Sequence, residues 1–246
     1  MNQIKIEVKF EKVPVKINRG VSFIIYADPG VGKTTLAATL PEEETLIITC
    51  EAGLGPLLGT NHVVFNVLAA ITDNNIEEVM RDLYKTLRTT EHSFKNVVLD
   101  NLSEMESQLI LNLTRSRGKH VPEIREYGDA SYKMKEWVHL FRDLVFQGIN
   151  VIFNAWEFPF EMRNNQGVVI SKTYPLIGKK IAPQACGIVD VVGHLEANEK
   201  TQQRRILFAP SEQYLTKTQF KGLGDAEPAD MPLILQKLLD YDYSKN

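Results

Sequence analysis

Two glycines, Gly30 and Gly32, precede Lys33 and Thr34 in the stretch SFIIYADPGVGKTT at residues 22–35. Residue types in that order suit the binding of a phosphate chain. Glycines let backbone N–H groups converge on an anion, a helix N-terminus adds partial positive charge, a lysine reaches the terminal phosphates, and a threonine hydroxyl can ligand magnesium. The expected nucleotide-binding loop is Ala27, Asp28, Pro29, Gly30, Val31, Gly32, Lys33, Thr34 and Thr35, with Ala27 where the G-x-x-x-x-G-K-[ST] pattern begins with glycine. Alanine is the least obstructive substitute there. The flanks agree, since residues 23–26 read as a buried strand and residues 33–38 restart as a helix.

Three further polar residues end apolar runs. Asp100 closes NVVLD, where it is placed to hold a magnesium-bound water or else begins a turn. Glu51 follows TLIITC and faces the same sheet edge, so it either orients the attacking water or is a solvated turn glutamate. Asn154 closes NVIFN, where it contacts that water or the γ-phosphate, or only satisfies backbone groups. Asn101 sits directly after Asp100, a place where ring-forming AAA+ enzymes usually carry a catalytic glutamate.

These residues need a sheet to hold them. Ile4, Ile6, Val8 and Phe10, then Val13, Val15 and Ile17, alternate with polar residues and predict an N-terminal hairpin or edge strand beside the phosphate-loop strand. Ile76, Val79, Met80, Leu83, Tyr84 and Leu87 mark one helix face, with Asn74 and Glu77 as its capping box. Ser103 with Glu106 is expected to cap the helix after Asp100, and Asp129 a long helix through Val145 that Gly148 ends. A hairpin is expected over residues 158–174, with its tip at residues 164–167; strands follow at residues 189–196 and 205–210, and Asp230 caps a last helix.

The order predicts an α/β, three-layer phosphate-loop core with a mainly parallel central sheet and a β-rich C-terminal third. Its expected divisions are an N-terminal segment (1–20), the core (21–224) and a C-terminal acidic segment with a helix (225–246).

At 246 residues the chain suits one α/β domain, and 28 basic against 31 acidic residues make any nucleic-acid surface local. Cys50 and Cys186 are far apart and the five histidines lack ligand spacing, which disfavours a disulfide framework or structural zinc. No leader or membrane span is read, so a cytoplasmic location is expected, within a host cell if the chain is phage-encoded.

The loop ADPGVGKTT, Glu51 in IITCEAGLG, Asp100 in NVVLDNLSE and Asn154 in NVIFNAWE resemble the RecA-type core. More closely, residues 22–223 resemble the bacteriophage-encoded AAA-family nucleotide-binding proteins that act as RecA-like single-strand annealing recombinases. The resemblance implies ATP and Mg²⁺ as cofactors, phosphate and magnesium on Lys33 and Thr34, Asp100 in the magnesium shell, and Glu51 activating water. It implies a filament or ring in which a lysine and an arginine contact a neighbour's nucleotide. Here the lysine is Lys217 in TKTQF, and Gln219 stands where the arginine is expected.

RecA-like proteins hold single-stranded DNA with loops that follow core strands. One basic loop here carries Arg115, Arg117 and Lys119; a second carries Arg163, Lys172, Lys179 and Lys180, interleaved with Phe158, Phe160 and Tyr174. Cations neutralise phosphates and rings stack on bases, though both loops also fit ordinary solvated turns. A single-strand-binding protein is a further candidate partner. Two rival readings are a nucleotide-gated switch or loader with little hydrolysis, and a small-molecule kinase.

Overall fold

The computed structural model describes residues 14–73, 75–163, 167, 169–178 and 181–245. In chain order the first half runs β1 (Ser22–Ala27), α1 (Lys33–Ala37), β2 (Thr45–Thr49), β3 (Val63–Asn66), α2 (Val67–Ala70), α3 (Ile76–Thr89), β4 (Asn96–Asp100) and α4 (Leu102–Ser116). The second half runs α5 (Ile124–Arg142), β5 (Asn150–Arg163), β6 (Val169–Pro175), α6 (Ala182–Ile188), β7 (Val191–Ala197), β8 (Arg204–Leu207), β9 (Lys217–Thr218), β10 (Ala226–Pro228) and α7 (Met231–Leu239).

The strands lie in the order β10-β8-β7-β1-β5-β4-β2-β3, with β6 on β5 and β9 on β7. From β7 to β3 the neighbours are parallel, as crossover helices require, while β6, β8, β9 and β10 pair antiparallel. This is an α/β fold with a mainly parallel central sheet, in which β5 stands between the phosphate-loop strand β1 and the Asp100 strand β4.

Side-chain alternation explains the three layers. In β1, Ile24 and Tyr26 join Leu46, Ile48, Val97, Leu99 and Phe153 under the large helical layer of α3, α4 and α5. The intervening Phe23, Ile25 and Ala27 join Ile47, Val98 and Ile152 on the other face, covered by α1 and α7. Strands buried on both faces read as continuous apolar runs, which is how β1, β2, β4 and the first part of β5 could be found from sequence.

The expected N-terminal strand lies mainly on residues outside those described; residues 14–20 are irregular, and both sides of β1 are taken by β5 and β7. Asn74 likewise lies outside the described residues, and Asn75 precedes α3 with Oδ1 accepting from the Thr72 N–H.

Two expected caps are corrected. Ser103 lies inside α4, where its hydroxyl donates to the Leu176 carbonyl at 2.7 Å, while Glu106 accepts from the Gly178 N–H at 2.8 Å. Asn101 caps that helix instead, accepting from the Glu104 N–H at 2.9 Å. Asp129 is inside α5, which begins earlier with a Glu123–Glu126 capping box. In both cases a polar side chain farther along the helix, two residues past the cap at Ser103 and six at Asp129, found a tertiary partner, and the earlier residue took the free N–H groups.

Asp230 does cap α7, accepting from the Leu233 N–H at 3.0 Å, and Gly148 ends the 3₁₀ turn after α5 with φ +82°. The hairpin at 158–174 forms from β5 and β6, although β5 passes into it from the core without a break.

Candidate functional site

β1 ends at Ala27 and the chain turns through Asp28–Gly32 into α1. Gly30 has φ +83° and Gly32 φ +115°, values that favour glycine and let the loop bend back on itself. Lys33 is buried, and its Nζ donates to the carbonyls of Ala27 and Asp28, both at 2.9 Å. Burial lowers its pKa, against the opposing charges of Asp100, Glu51 and Glu157.

The sheet register then gathers the polar strand ends. Asp100 is level with Thr49 on β2, and Leu99 with Phe153 on β5, so Asn154 stands beside Asp100. Thr34 Oγ1 donates to Asp100 Oδ2 at 2.7 Å, and Asn154 Nδ2 donates to Asp100 Oδ1 at 2.9 Å. Asn154 is 1% exposed, and its Oδ1 is buried without a partner among the described residues. A buried acceptor in that state marks a place for one more donor.

Glu51 completes the group. It lies two residues past Thr49, whose hydroxyl accepts from the Glu51 N–H at 2.9 Å, and its Oε1 accepts a hydrogen bond from Asn101 Nδ2. Burial, with Asp100 and Glu104 nearby, raises its pKa above the usual 4.5. Asn101 thus caps α4 with its oxygen and holds Glu51 with its nitrogen, a role the sequence signals only through the N-x-x-E cap spacing of Asn101 and Glu104.

Two other neighbours of the loop carried no sequence signal. His194 on β7 is level with Tyr26, stacks on Tyr214 at 3.8 Å, and pairs with Glu157 at 2.7 Å through Nε2. Arg204 on β8 donates from Nε to the Val31 carbonyl at 2.7 Å, across 173 positions of chain.

Thr34 and Asp100 supply hard oxygen donors side by side, which fits magnesium, an ion that keeps several waters in its shell. Among the described residues no group of three or more His, Cys, Asp or Glu side chains is gathered for a metal.

The other expected site residues lie apart from this edge. Lys217 donates to the carbonyls of Cys186, Gly187 and Val189 at 3.1, 2.7 and 2.7 Å, and burial lowers its pKa. It closes the C-terminal end of α6, so contact with a neighbour's nucleotide would require these bonds to open. Arg115 is exposed and has no ion-pair partner among the described residues.

Arg117 bonds Glu126 at 2.6 Å and also Asp129, while Lys119 pairs with Glu123 at 2.7 Å. The Arg117 bond holds the Glu126 carboxyl down to about 2. Lys172 is level with Phe160 in the β5–β6 hairpin, where Phe160 and Tyr174 rings lie 5.6 Å apart. Lys179 and Lys180, the hairpin tip at 164–166 and the Arg163 side chain lie outside the described residues. No described helix is long and apolar enough to cross a membrane.

A loop of amides and a lysine over a sheet edge, with a threonine, an aspartate and a glutamate gathered beside it, defines a phosphate-loop nucleotide-binding protein. A family model described as the AAA domain matches residues 19–220, and the chain belongs to that family. Comparison with curated proteins returned no match. Among solved structures the chain is similar to that titled the RadB recombinase, at 16% identity over 77% of this chain and 80% of that one, with a TM-score of 0.44.

Proposed function

We propose that the chain is a magnesium-dependent ATPase that binds single-stranded DNA and acts in phage recombination or annealing, as a filament or ring with nucleotide between subunits. The observation that carries the ATPase part is the continuous chain of contacts from Thr34 through Asp100 to Asn154, next to the phosphate loop. Thr34 and Asp100 would hold Mg²⁺, whose charge neutralises the phosphates when bound. Lys33 and the loop amides bind the triphosphate, Glu51 accepts a proton from the attacking water, and Asn154 offers its unpartnered Oδ1 to that water.

The DNA part rests on the family resemblance, on Arg115, and on the Phe160 and Tyr174 rings of the hairpin. Turnover titrated against single-stranded DNA, on the parent, Lys33→Ala and Glu51→Gln, tests the whole. A DNA-stimulated rate that collapses in both variants is expected. Turnover that ignores DNA removes the second part, and turnover that survives Lys33→Ala removes both.

A nucleotide-gated switch with little hydrolysis is favoured by one observation. The residue after Asp100 is an asparagine, and it ties up Glu51, the carboxylate assigned here as base. Tight ATP binding with negligible turnover, unchanged in Glu51→Gln, would select that reading.

A further inference from the structure

Three carboxylates from outside the loop act on the buried Lys33 ammonium: Asp100, Glu51 and Glu157. The proposed chemistry uses the first two and leaves Glu157 without a task. An anion beside a phosphate-binding lysine competes with the phosphate, so its presence there needs a physical reason.

Sheet register puts Glu157 where it can interfere. β1 lies between β5 and β7, with Trp156 level with Ala27 and His194 level with Tyr26. Glu157 is the next residue of β5, at the foot of the loop whose Ala27 and Asp28 carbonyls hold Lys33 Nζ. Asp100 is tied by Thr34 and Asn154, and Glu51 by Asn101. Glu157 makes one side-chain hydrogen bond among the described residues: its Oε2 accepts from His194 Nε2 at 2.7 Å, across the end of β1. A carboxylate only accepts, so the imidazole carries a proton on that nitrogen.

His194 is shaped for this contact and no other polar one. It is 4% exposed, its ring stacks on Tyr214 at 3.8 Å, and it meets Tyr26 edge-on at 5.1 Å. Its Nδ1 is buried without a partner among the described residues. An unmatched buried nitrogen costs stability, so the two aromatic rings and the Glu157 carboxylate are what fix the imidazole.

We propose that Glu157 is a rival of the triphosphate for Lys33, and that His194 is the positioning residue that holds it off. The inference rests on the phosphate-loop reading and adds to it a competing anion within the chain. While His194 is bonded, Glu157 is drawn across β1 and Lys33 stays on the loop carbonyls, ready for phosphate. With that bond removed the carboxylate has no other side-chain partner, and it turns to the ammonium on which its charge already acts.

Affinity for inorganic tripolyphosphate, measured by calorimetry on the full chain, tests this, because that ligand reports on the loop alone. His194→Phe keeps a ring against Tyr214 and removes the donor, and should weaken binding about tenfold. His194→Gln, which still has an N–H to offer, should stay within about threefold of the parent. Glu157→Gln removes the rival charge and should tighten binding about twofold; added to His194→Phe it should recover the whole loss. A merely structural histidine would not give that recovery, since a disturbed strand end stays disturbed whatever the charge beside it.

Unchanged affinity in His194→Phe overturns the inference, as does a loss that persists when Glu157→Gln is added. If His194→Phe does not fold, Glu157→Gln alone decides: tighter binding upholds the inference, and unchanged or weaker binding overturns it. A parent that binds neither tripolyphosphate nor ATP, or binding that survives Lys33→Ala, would instead overturn the phosphate-loop reading.

Discussion

The phosphate-loop edge and the basic loop between α4 and α5 both carry cations beside carboxylates, yet they are built in opposite ways. At the loop edge one buried ammonium, Lys33, is held by backbone carbonyls while Asp100 and Glu51 stand near it without an ion pair. In the basic loop Arg117 and Lys119 are locked to Glu123, Glu126 and Asp129. The first arrangement leaves a charged group ready for an anion that arrives; the second has already neutralised its own. Single changes should therefore be decisive at the loop edge and modest in the basic loop.

The largest break should come from Lys33→Ala, which removes the one buried cation of the loop and should lower nucleotide affinity about a hundredfold, read by calorimetry. If affinity holds, the contrast has no basis. Next is Glu51→Gln, expected to lower turnover about 10²–10³-fold with nucleotide affinity little changed, as for loss of a general base. Asn101→Ala should follow part of that way, since it frees Glu51, and should also cost about 1 kcal/mol of stability by removing the α4 cap, measured by denaturant unfolding.

Smaller effects are expected around the basic loop, whose expected member Arg115 lies in the last turn of α4 and not in the loop itself. Arg115→Ala should weaken single-stranded DNA only a few-fold and reduce the salt slope by about one. A steeper loss there, equal to that at the loop edge, would erase the distinction.

The subtlest effect concerns pH. Glu51 takes up its proton above the usual 4.5 because burial and neighbouring carboxylates disfavour its charge. Turnover should therefore fall on the acid side at a higher pH than an ordinary carboxylate would dictate. The sign for stability is the reverse: a carboxylate with a raised folded pKa contributes most below its unfolded value, and that contribution is lost as pH rises through the folded value. Glu51→Gln should accordingly melt slightly higher at neutral pH, a gain kept small by solvent screening.

The core strands were legible because strands covered on both faces are apolar throughout, and the loop because its chemistry needs glycine at left-handed backbone positions. Asp100, Glu51 and Asn154 could be ranked together since each ends such a run and parallel strands finish at one edge. The caps misread at Ser103 and Asp129 show the limit: the spacing of a serine or aspartate before a helix describes a local option, and tertiary partners took both side chains.

By itself the sequence determined the parallel core, the phosphate loop and the strand-end acids, because these follow from patterns local in the chain. Only the tertiary structure decided that Asn101 holds Glu51, that His194 meets Glu157, and that Arg204 lies across Gly32. Those contacts join residues 50, 37 and 173 or so positions apart, and no periodicity or spacing encodes which distant side chain reaches a given edge.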